Sequence, residues 1–543
     1  MGHADSIDDA RMDSLELEAA GYSQAMPRRF SKWSLGALSF TLTCTWLGTG
    51  ASLGNGLTQA SAAGALWSLP VAGLMTLIIS VGMAELASAF PVAGAQYYWS
   101  FMVASPKYRA FASFLNGWMS IIGWWLASGS VANFVSYMIL SIVALWYPEF
   151  EAQNWQQYLI YVAVIWLAVA MNVFASEWLP HFNQMIFVLS VSTLGATIIT
   201  LFVTARNHHA TASFIFTDTT ISSGWSDYGL CFLLSISNAV YGYLGTDCGA
   251  HLCEEIANPS RNVPKVIIYP LVMGLLTSFP FAASLLYSIT DLSSILESPR
   301  LPLISIYYQA TGSYAAASVL LAVLAFCFFG CLVAVGTTCS RTQWAVSRDG
   351  VLPFSQVWMH IHPTYRMPAN SMLLTGTCVS LYGLIFLGST TAFSAMVNAA
   401  IIFLQTSCVI PQAILLYRGR DVLPERYFNL GKWGKYINAI AVLWVCFLDI
   451  LACFSTILPV NPENMSYVSV VCVGLVSFVV ILWFISKKGK FEGPRVNTEL
   501  MNARRLAALH ADHISLECQD EYTADTKISR GADVMGKKEP TRG

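Results

Sequence analysis

Charged side chains are scarce in this 543-residue chain. Asp, Glu, Lys and Arg make up 11% of it and hydrophobic residues 55%, whereas about a quarter of an ordinary soluble domain is charged. This composition excludes a soluble globular protein and predicts a polytopic membrane protein. The net charge of −2 gives no indication of a nucleic-acid partner, and we expect none.

The sequence also lacks the cysteine and histidine patterns that are typical of disulfide frameworks, metal sites and catalytic sites. The thirteen cysteines lie almost entirely in apolar runs and none falls in a predicted outer loop, so we expect no disulfide framework. The apolar runs contain no metal-ligand spacing, no paired histidines and no Ser/His/Asp set. We therefore expect no metal, no cofactor, no catalytic residue and no enzyme activity.

Long apolar runs dominate what is present. A run of about 20 apolar residues spans a bilayer, and twelve such runs predict twelve transmembrane helices, numbered here as spans 1 to 12. They lie near 34–59, 64–90, 110–142, 157–175, 181–205, 228–254, 265–289, 312–345, 369–389, 392–417, 436–458 and 467–486. The polar tails, 1–33 and 490–543, have the composition of disordered segments.

The positions of lysine and arginine predict the orientation. If the N-terminus is inside, the inner short loops hold twelve of these residues and the outer loops hold only Arg206 and Arg300. Because positive charge accumulates on the cytoplasmic side, both tails are predicted to be cytoplasmic. The sequon at Asn464 then falls in an outer loop and is a glycosylation candidate.

Two apolar runs are interrupted by several glycines. The first interruption is TWLGTGAS at 45–52 in span 1, and the second is YGYLGTDCG at 241–249 in span 6. Unpaired backbone groups at membrane depth are tolerated only when they are buried in protein or line a cavity. Paired interruptions in the two halves of a chain indicate the binding site of a secondary transporter. The alternative is that these glycines only allow close helix packing.

Four ordered motifs resemble the fungal amino acid/choline/GABA permease family of the amino acid–polyamine–organocation superfamily. They are AELASAFPVAGAQYYW at 84–99, the GW and GWW pairs between 117 and 125, AHLCEEIANPSRNVP at 250–264, and SRTQWAVSRDGVLP at 340–353. Two departures are that AGA stands at 93–95 where the family often has two glycines, and that span 5 has no lysine. The second puts in doubt a coupling route of some proton-coupled relatives.

The resemblance implies an all-α integral membrane fold with a 5+5 inverted repeat and two peripheral helices. Spans 1 and 6 would be the broken helices. The implied division is a cytoplasmic N-terminal tail (1–33), a first repeat of spans 1–5 (34–206), an outer loop (207–227), a second repeat of spans 6–10 (228–417), spans 11–12 (418–489) and a cytoplasmic C-terminal tail (490–543).

In this family geometry the two interruptions bind the solute with main-chain groups. Amides of the first would receive a carboxylate, while carbonyls of the second would receive an ammonium group. Nearby aromatic rings would add cation–π attraction of about 0.5–2 kcal/mol, although each ring alone is as consistent with packing. The candidate substrate-binding residues are Trp46, Gly48, Thr49, Gly50, Ala51, Ser52, Tyr241, Tyr243, Gly245 and Asp247.

Ionisable residues inside spans are costly, at about 2.5–3.5 kcal/mol each on insertion scales. Asp247 lies in the second interruption, where it could hold an ammonium group or exchange a proton; the alternative is that it caps the following half-helix. His251 is one turn onward on the same face and has either a coupling or a structural role. Asp449 is alone in span 11, where a structural hydrogen bond or an interface contact is the simpler interpretation.

A second group of charges sits at the predicted cytoplasmic ends of the spans. Glu85, Glu254 and Glu255 lie at helix ends there, and Arg341 and Arg348 end span 8 on the same side. We expect charge pairs that help to close an inner gate. The alternative is a set of ordinary interfacial charges.

The leading hypothesis is a secondary active transporter that imports an amino acid or related small amine by alternating access. Choline, GABA, a polyamine and a neutral amino acid all remain open as substrates. An inside-negative potential of 100 mV contributes about 2.3 kcal/mol per positive charge, and protons are candidate co-substrates through the resemblance. The plasma membrane is the expected location, with the vacuolar membrane as an alternative. The second hypothesis is a nutrient sensor with a permease fold that transports little.

Overall fold

The structure is a computed structural model that describes residues 4–43, 45–296, 301–462 and 464–497. Within these ranges the chain forms helices and connecting segments, with a single isolated bridge between Phe30 and Ile256 in place of any strand. The all-helical architecture agrees with the fold class expected from the sequence.

Nineteen α-helices are assigned within the described ranges. They are α1 Ala4–Ala19, α2 Lys32–Thr43, α3 Thr45–Ala89, α4 Gln96–Val103, α5 Arg109–Trp146, α6 Asn154–Phe174, α7 Leu179–Thr204, α8 Ala212–Thr217, α9 Tyr228–Ala239, α10 Cys248–His251, α11 Pro259–Tyr287, α12 Leu292–Leu296, α13 Pro302–Thr311, α14 Tyr314–Ser347, α15 Ser355–Trp358, α16 Ala369–Gly388, α17 Thr390–Arg418, α18 Trp433–Leu451 and α19 Val468–Leu482.

About ten segments of the described chain are long and apolar enough to cross a bilayer. Two features affect this number. The first segment, Lys32–Ala89, contains non-helical backbone at Ala60 and Ser61, so it holds two helices joined at a kink. The region from α9 to α10 is divided into pieces that are each too short to be counted.

The helices differ in how deeply they are packed. The C-terminal part of α14, from Cys327 to Ser347, is buried continuously, and α14 packs against α5, α2, α6 and α16. By contrast, α19 exposes large apolar side chains such as Val470 and Val473. Apolar side chains that face outward along a long helix are what a lipid environment requires. A helix such as α19 therefore lies at the outside of the helix assembly, whereas this part of α14 lies inside it.

The molecule has two distinct ends. At one, which we call the tail end, the amide of Phe30 donates to the carbonyl oxygen of Glu255 at 3.1 Å. At the other, the loop end, segments 205–227 and 452–467 meet, and the amide of Leu458 donates to the carbonyl oxygen of Ser223 at 2.8 Å.

The N-terminal tail differs from its prediction. We expected disorder over 1–33, but the described part contains α1 and a packed stretch up to Phe30. Met26 and Phe30 are only 2% and 5% exposed, so a few apolar side chains in a polar segment find a place on the tail end. The predicted C-terminal tail beyond residue 497 lies outside the described residues.

Candidate functional site

The backbone between α9 and α10 is interrupted. A short 3₁₀ turn covers Val240–Tyr243, the chain is extended at Leu244, and helix resumes at Cys248. Gly245 has a φ of +74°, and a Cβ there would lie 2.3 Å from the Leu42 side chain. Only glycine adopts this backbone at such a close approach without strain. The interruption is therefore built into the sequence at this position.

The first predicted interruption differs from the structure. Residues 45–52 lie inside α3, and the hydroxyls of Thr49 and Ser52 donate to carbonyl oxygens one turn earlier. The amides from Gly48 to Ser52, Ala51 included, thus lie in a regular helix rather than in an unwound carboxylate site.

The glycines of this segment serve close packing. A Cβ on Gly48 would lie 3.0 Å from the Cα atom of Gly242, so α3 and the interrupted segment touch backbone to backbone here. A Cβ on Gly50 would lie 3.1 Å from the ring of Phe281. A larger residue at position 50 would therefore collide with α11, rather than fill an approach to free amides.

A small central cavity lies where Gly48 meets the interrupted segment. Its volume is about 30 Å³, which is room for about one water molecule and not for an amino acid. Three of the predicted site residues line it, namely Gly48, Tyr241 and Gly245. The centre of the molecule is therefore closed around these residues in this conformation.

Sequence reasoning missed two aromatic residues of this cavity, Trp124 and Phe328. The indole nitrogen of Trp124 is buried and has no hydrogen-bond partner among the described residues. The hydroxyl of Tyr241 lies 2.7 Å from Ser130 Oγ. The GWW motif of span 3 was the available signal for Trp124, but no local pattern distinguished Phe328 from its apolar neighbours.

Trp46 and Tyr243 lie away from the central cavity. The indole of Trp46 donates to Ser190 Oγ at 2.9 Å and packs edge-on against Phe281. The hydroxyl of Tyr243 lies 2.8 Å from Ser278 Oγ, and its side chain is fully buried. Both are held by neighbouring helices, which favours the packing interpretation for these two rings.

Asp247 is the centre of a buried polar network between the central cavity and the tail end. Its Oδ2 accepts a hydrogen bond from Gln96 Nε2 at 2.6 Å and lies 3.1 Å from His251 Nε2. Asp247 occupies the N-cap position of α10, yet its side chain makes no capping hydrogen bond. The capping alternative therefore does not describe this carboxylate.

His251 lies between two oxygen atoms. Its Nδ1 is 3.1 Å from the carbonyl oxygen of Ala93, and its Nε2 is 3.1 Å from Asp247 Oδ2. Because the carbonyl oxygen can only accept a hydrogen bond, Nδ1 donates to it. The ring is thereby held between the segment before α4 and the carboxylate at the start of α10.

Two buried ion pairs at the tail end involve the residues that follow α10. Arg341 Nε donates to Glu255 at 2.8 Å, and both side chains are 1% exposed. The guanidinium of Arg348 donates to both oxygens of Glu254, at 3.0 and 2.7 Å. The structure thus pairs the acids after span 6 with the arginines of span 8.

Glu85 has partners that we did not single out from the sequence. It forms ion pairs with Arg420 and Arg426, which lie in the segment between α17 and α18. The amide of Leu430 donates to the same carboxylate at 3.1 Å. No local signal connects Glu85 to residues more than 300 positions away, because this contact exists only in the folded chain.

The N-terminal stretch covers the Glu254–Arg348 pair. The ring of Tyr22 lies 4.0 Å from the Arg348 guanidinium carbon, and its hydroxyl donates to Asp349 at 2.6 Å. Burial raises the pKa of the Asp349 carboxyl, an effect that the Tyr22 hydrogen bond and the Arg348 charge oppose. Gln24 also donates to the carbonyl oxygen of Glu254.

The glycosylation candidate Asn464 lies at the loop end. Its Nδ2 donates to the carbonyl oxygen of Pro459 at 3.0 Å, and its Oδ1 accepts from the amide of Asn461 at 2.7 Å. The side chain is half-buried. Attachment of a glycan would replace one of the two hydrogens on Nδ2.

Several known proteins are similar to this chain in sequence. The sequence model of the amino acid permease family matches residues 30–478. A choline transporter of Saccharomyces cerevisiae is 30% identical over 481 residues, covering 88% of this chain and 85% of the relative. Amino-acid permease BAT1 of Arabidopsis thaliana is 28% identical, covering 90% and 97%. Amino-acid permease 2 of Neurospora crassa is also 28% identical, covering 88% of each chain.

Proposed function

Because the chain belongs to the amino acid permease family, we propose that it is a secondary active transporter that imports an amino acid or a related small amine. The relatives are named as permeases and transporters, so the chain is a membrane transporter and not an enzyme. The expected family resemblance is confirmed. The observation that carries the finer proposal is the interrupted segment 240–247, which meets Gly48 of α3 at the central cavity.

The proposed topology has twelve spans with both termini in the cytoplasm. It divides Lys32–Ala89 at its kink and joins α9 to α10 as one interrupted span, in addition to the other long apolar helices. Spans 1–5 and 6–10 would form the inverted repeat, with spans 11 and 12 at the periphery. The lysine and arginine distribution supports this orientation, and the plasma membrane is the proposed location.

The central cavity is the proposed binding site. Trp124, Tyr241 and Phe328 surround it, and aromatic faces attract ammonium groups. The interrupted backbone at 240–247 offers carbonyl oxygens that a regular helix would use internally. Both features favour a solute with a positively charged nitrogen, and the name of the yeast relative makes choline the first compound to test. The closed volume means that the cavity must widen when the solute binds.

Asp247 and His251 are the proposed coupling pair. They follow Gly245 of the cavity wall along the chain. The ring of Trp124, which also lines the cavity, stands edge-on to His251 at 6.2 Å between ring centres. The pair would bind a proton and release it as the molecule changes conformation. The ion pairs of Glu85, Glu254, Arg341 and Arg348 would hold the tail end closed until then.

Tracer uptake in permease-deficient cells tests the proposed function. Labelled choline, GABA, arginine and leucine are supplied separately, and competition by the unlabelled compounds ranks them. We expect saturable accumulation of at least one amine above that of cells without the protein. A protein that reaches the surface but accumulates none of the four would favour the sensor hypothesis.

Asp247→Asn tests the coupling pair within the same assay. The amide can still accept from Gln96, but it cannot take up a proton, so we expect uptake to fall by more than tenfold at normal surface abundance. Asp218→Asn, which changes a carboxylate at the loop end, is the matched control with uptake near that of the wild type. Near-normal uptake by Asp247→Asn would remove this residue from the mechanism.

A further inference from the structure

A second and much larger cavity lies at the loop end. Its volume is about 470 Å³, which is within the range of small-molecule sites. It is bounded by α3, α9, α17, α18 and the segment that precedes α19. We call it the outer cavity. It is distinct from the central cavity, since it reaches α18, which the central cavity does not touch.

The two cavities are close neighbours along the same elements. On α17, Leu404 lines the central cavity and Gln405 lines the outer one. Tyr241 faces the central cavity, and Asn238, one turn earlier, faces the outer one. Asn238 Nδ2 also donates to the carbonyl oxygen of Ser52 at 3.2 Å, so it joins α9 to α3 between the two spaces.

The wall of the outer cavity is polar and carries one charge. Among its described lining residues Asp449 is the single acidic or basic side chain, and the others include asparagine, glutamine, serine and threonine. Thr406 donates to Asp449 Oδ2 at 3.2 Å, whereas Oδ1 is buried with no hydrogen-bond partner among the described residues. A carboxylate oxygen buried in this way is costly unless a donor from water or from a ligand satisfies it.

Gln59 provides a second unsatisfied acceptor on the same wall. The residue is 5% exposed, and its Oε1 is buried without a partner among the described residues. Both unsatisfied atoms are therefore acceptor oxygens, and the described part of the wall has no basic side chain to attract an anion. A ligand that fits must bring hydrogen-bond donors and positive charge.

We propose that the outer cavity binds the primary ammonium group of a small solute, with Asp449 as its counter-charge. The cavity, the lone carboxylate and the two unsatisfied oxygens carry this inference independently of transport. One part of the inference rests on the proposed function. It is that a solute on an import route would reach the outer cavity before the central cavity. The simpler interpretation of Asp449 as a structural hydrogen-bonding residue accounts for Oδ2, whereas Oδ1 takes its donor from the contents of the cavity.

The first test measures the reactivity of an introduced thiol in the full-length protein on intact cells. Asn398→Cys changes an exposed residue of the cavity wall, and the exposed Cys446 and Cys453 are replaced by serine to remove background. The cationic reagent MTSET and the anionic reagent MTSES are compared. We expect Asp449→Asn to lower the ratio of their rates several-fold, because loss of the negative charge slows the cationic reagent and speeds the anionic one.

Two controls make this result specific. Asp449→Glu keeps the charge and should keep the ratio. Ala152→Cys, at an exposed loop position away from the cavity, should show a ratio that is insensitive to Asp449→Asn. The proposal is overturned if the thiol of Asn398→Cys is not modified from outside. It is also overturned if the ratio of the MTSET and MTSES rates at this thiol does not change when the carboxylate is removed.

Ligand protection identifies the chemistry of the site. Putrescine, a primary diamine, should slow modification of the introduced thiol, and Asp449→Asn should raise its half-protecting concentration about tenfold for the same electrostatic reason. Equal protection by choline, which has no N–H group, would overturn the assignment to a primary ammonium, and no protection would overturn the site. Protection in a protein without tracer uptake would contradict the proposed transport alone.

Discussion

The two ends of the molecule are held together by different interactions. The ion pairs between described residues all lie at the tail end or between it and the central cavity, and they include Glu255–Arg341 and Glu254–Arg348. The loop end is joined by neutral contacts, such as those of Ser223 and Trp225 with segment 452–467, and it contains the outer cavity.

This difference indicates which end is closed. Pulling a buried ion pair apart leaves each charge without its partner until water reaches it, whereas a neutral hydrogen bond exchanges easily with water. The tail end therefore resists opening. The N-terminal stretch adds contacts to it through Tyr22 and Gln24. The loop end already holds a space large enough for a solute. We infer a conformation that is closed toward the tails and accessible from the opposite side.

The largest expected effect comes from breaking one ion pair of the tail end. Arg341→Met leaves Glu255 charged, buried and without its partner, which costs about 3–5 kcal/mol. We expect a marked fall in the thermal unfolding temperature of the purified protein. We also expect the buried cysteines near the tail end to react faster with thiol reagents.

The double variant Arg341→Met, Glu255→Leu is the control for this change. Because an apolar pair of similar volume often replaces a buried ion pair without loss, stability should return toward that of the wild type. Equal destabilisation by the single and double variants would show that packing, and not the charge pair, holds this end.

A smaller effect is expected from breaking one contact of the N-terminal stretch. Tyr22→Phe keeps the ring over Arg348 but removes the hydroxyl that donates to Asp349, which costs about 1.5–3 kcal/mol for a hydrogen bond to a charged group. Limited proteolysis of the N-terminal stretch should become faster. Tyr427→Phe, whose ring also lies over a basic residue at the tail end, should leave proteolysis unchanged; a change of equal size in both would contradict a specific role for Tyr22.

The smallest expected effect lies at the loop end. Asn238→Ala removes the neutral hydrogen bond to Ser52, at a cost of about 0.5–1.5 kcal/mol. Thermal stability should hardly change. The thiol of Asn398→Cys at the wall of the outer cavity should react faster, because α9 and α3 separate more readily. A loss of stability as large as that of Arg341→Met would remove the contrast between the two ends.

Local sequence patterns predicted part of this arrangement. The interruption at 241–249 was visible because Gly245 needs a backbone that other residues avoid, and the Asp247–His251 contact follows from helical spacing. The predicted interruption at 45–52 was wrong, because the stretch is helical and its Gly48 and Gly50 serve close packing, which produces the same pattern. Local sequence does not distinguish these two uses of glycine.

Contacts between distant segments were beyond local patterns. Gln96 reaches Asp247 from α4, and Glu85 meets arginines that follow α17, so each partner is defined only by the folded chain. The N-terminal tail was predicted to be disordered from its polar composition. Its few apolar residues pack because the tail end offers a surface that the sequence of the tail itself does not reveal.

The most direct test of the central claim is amine uptake by purified protein in vesicles, compared between Gly48→Ala and Gly195→Ala. A Cβ at position 48 would press on Gly242 at 3.0 Å, whereas one at position 195 meets no atom within 4 Å. If solute binds where α3 meets the interrupted segment, Gly48→Ala should raise the half-saturating concentration about tenfold, as for an overpacking cost of about 1–3 kcal/mol, and Gly195→Ala should behave as the wild type. Equal, undiminished uptake by the two variants would contradict the account.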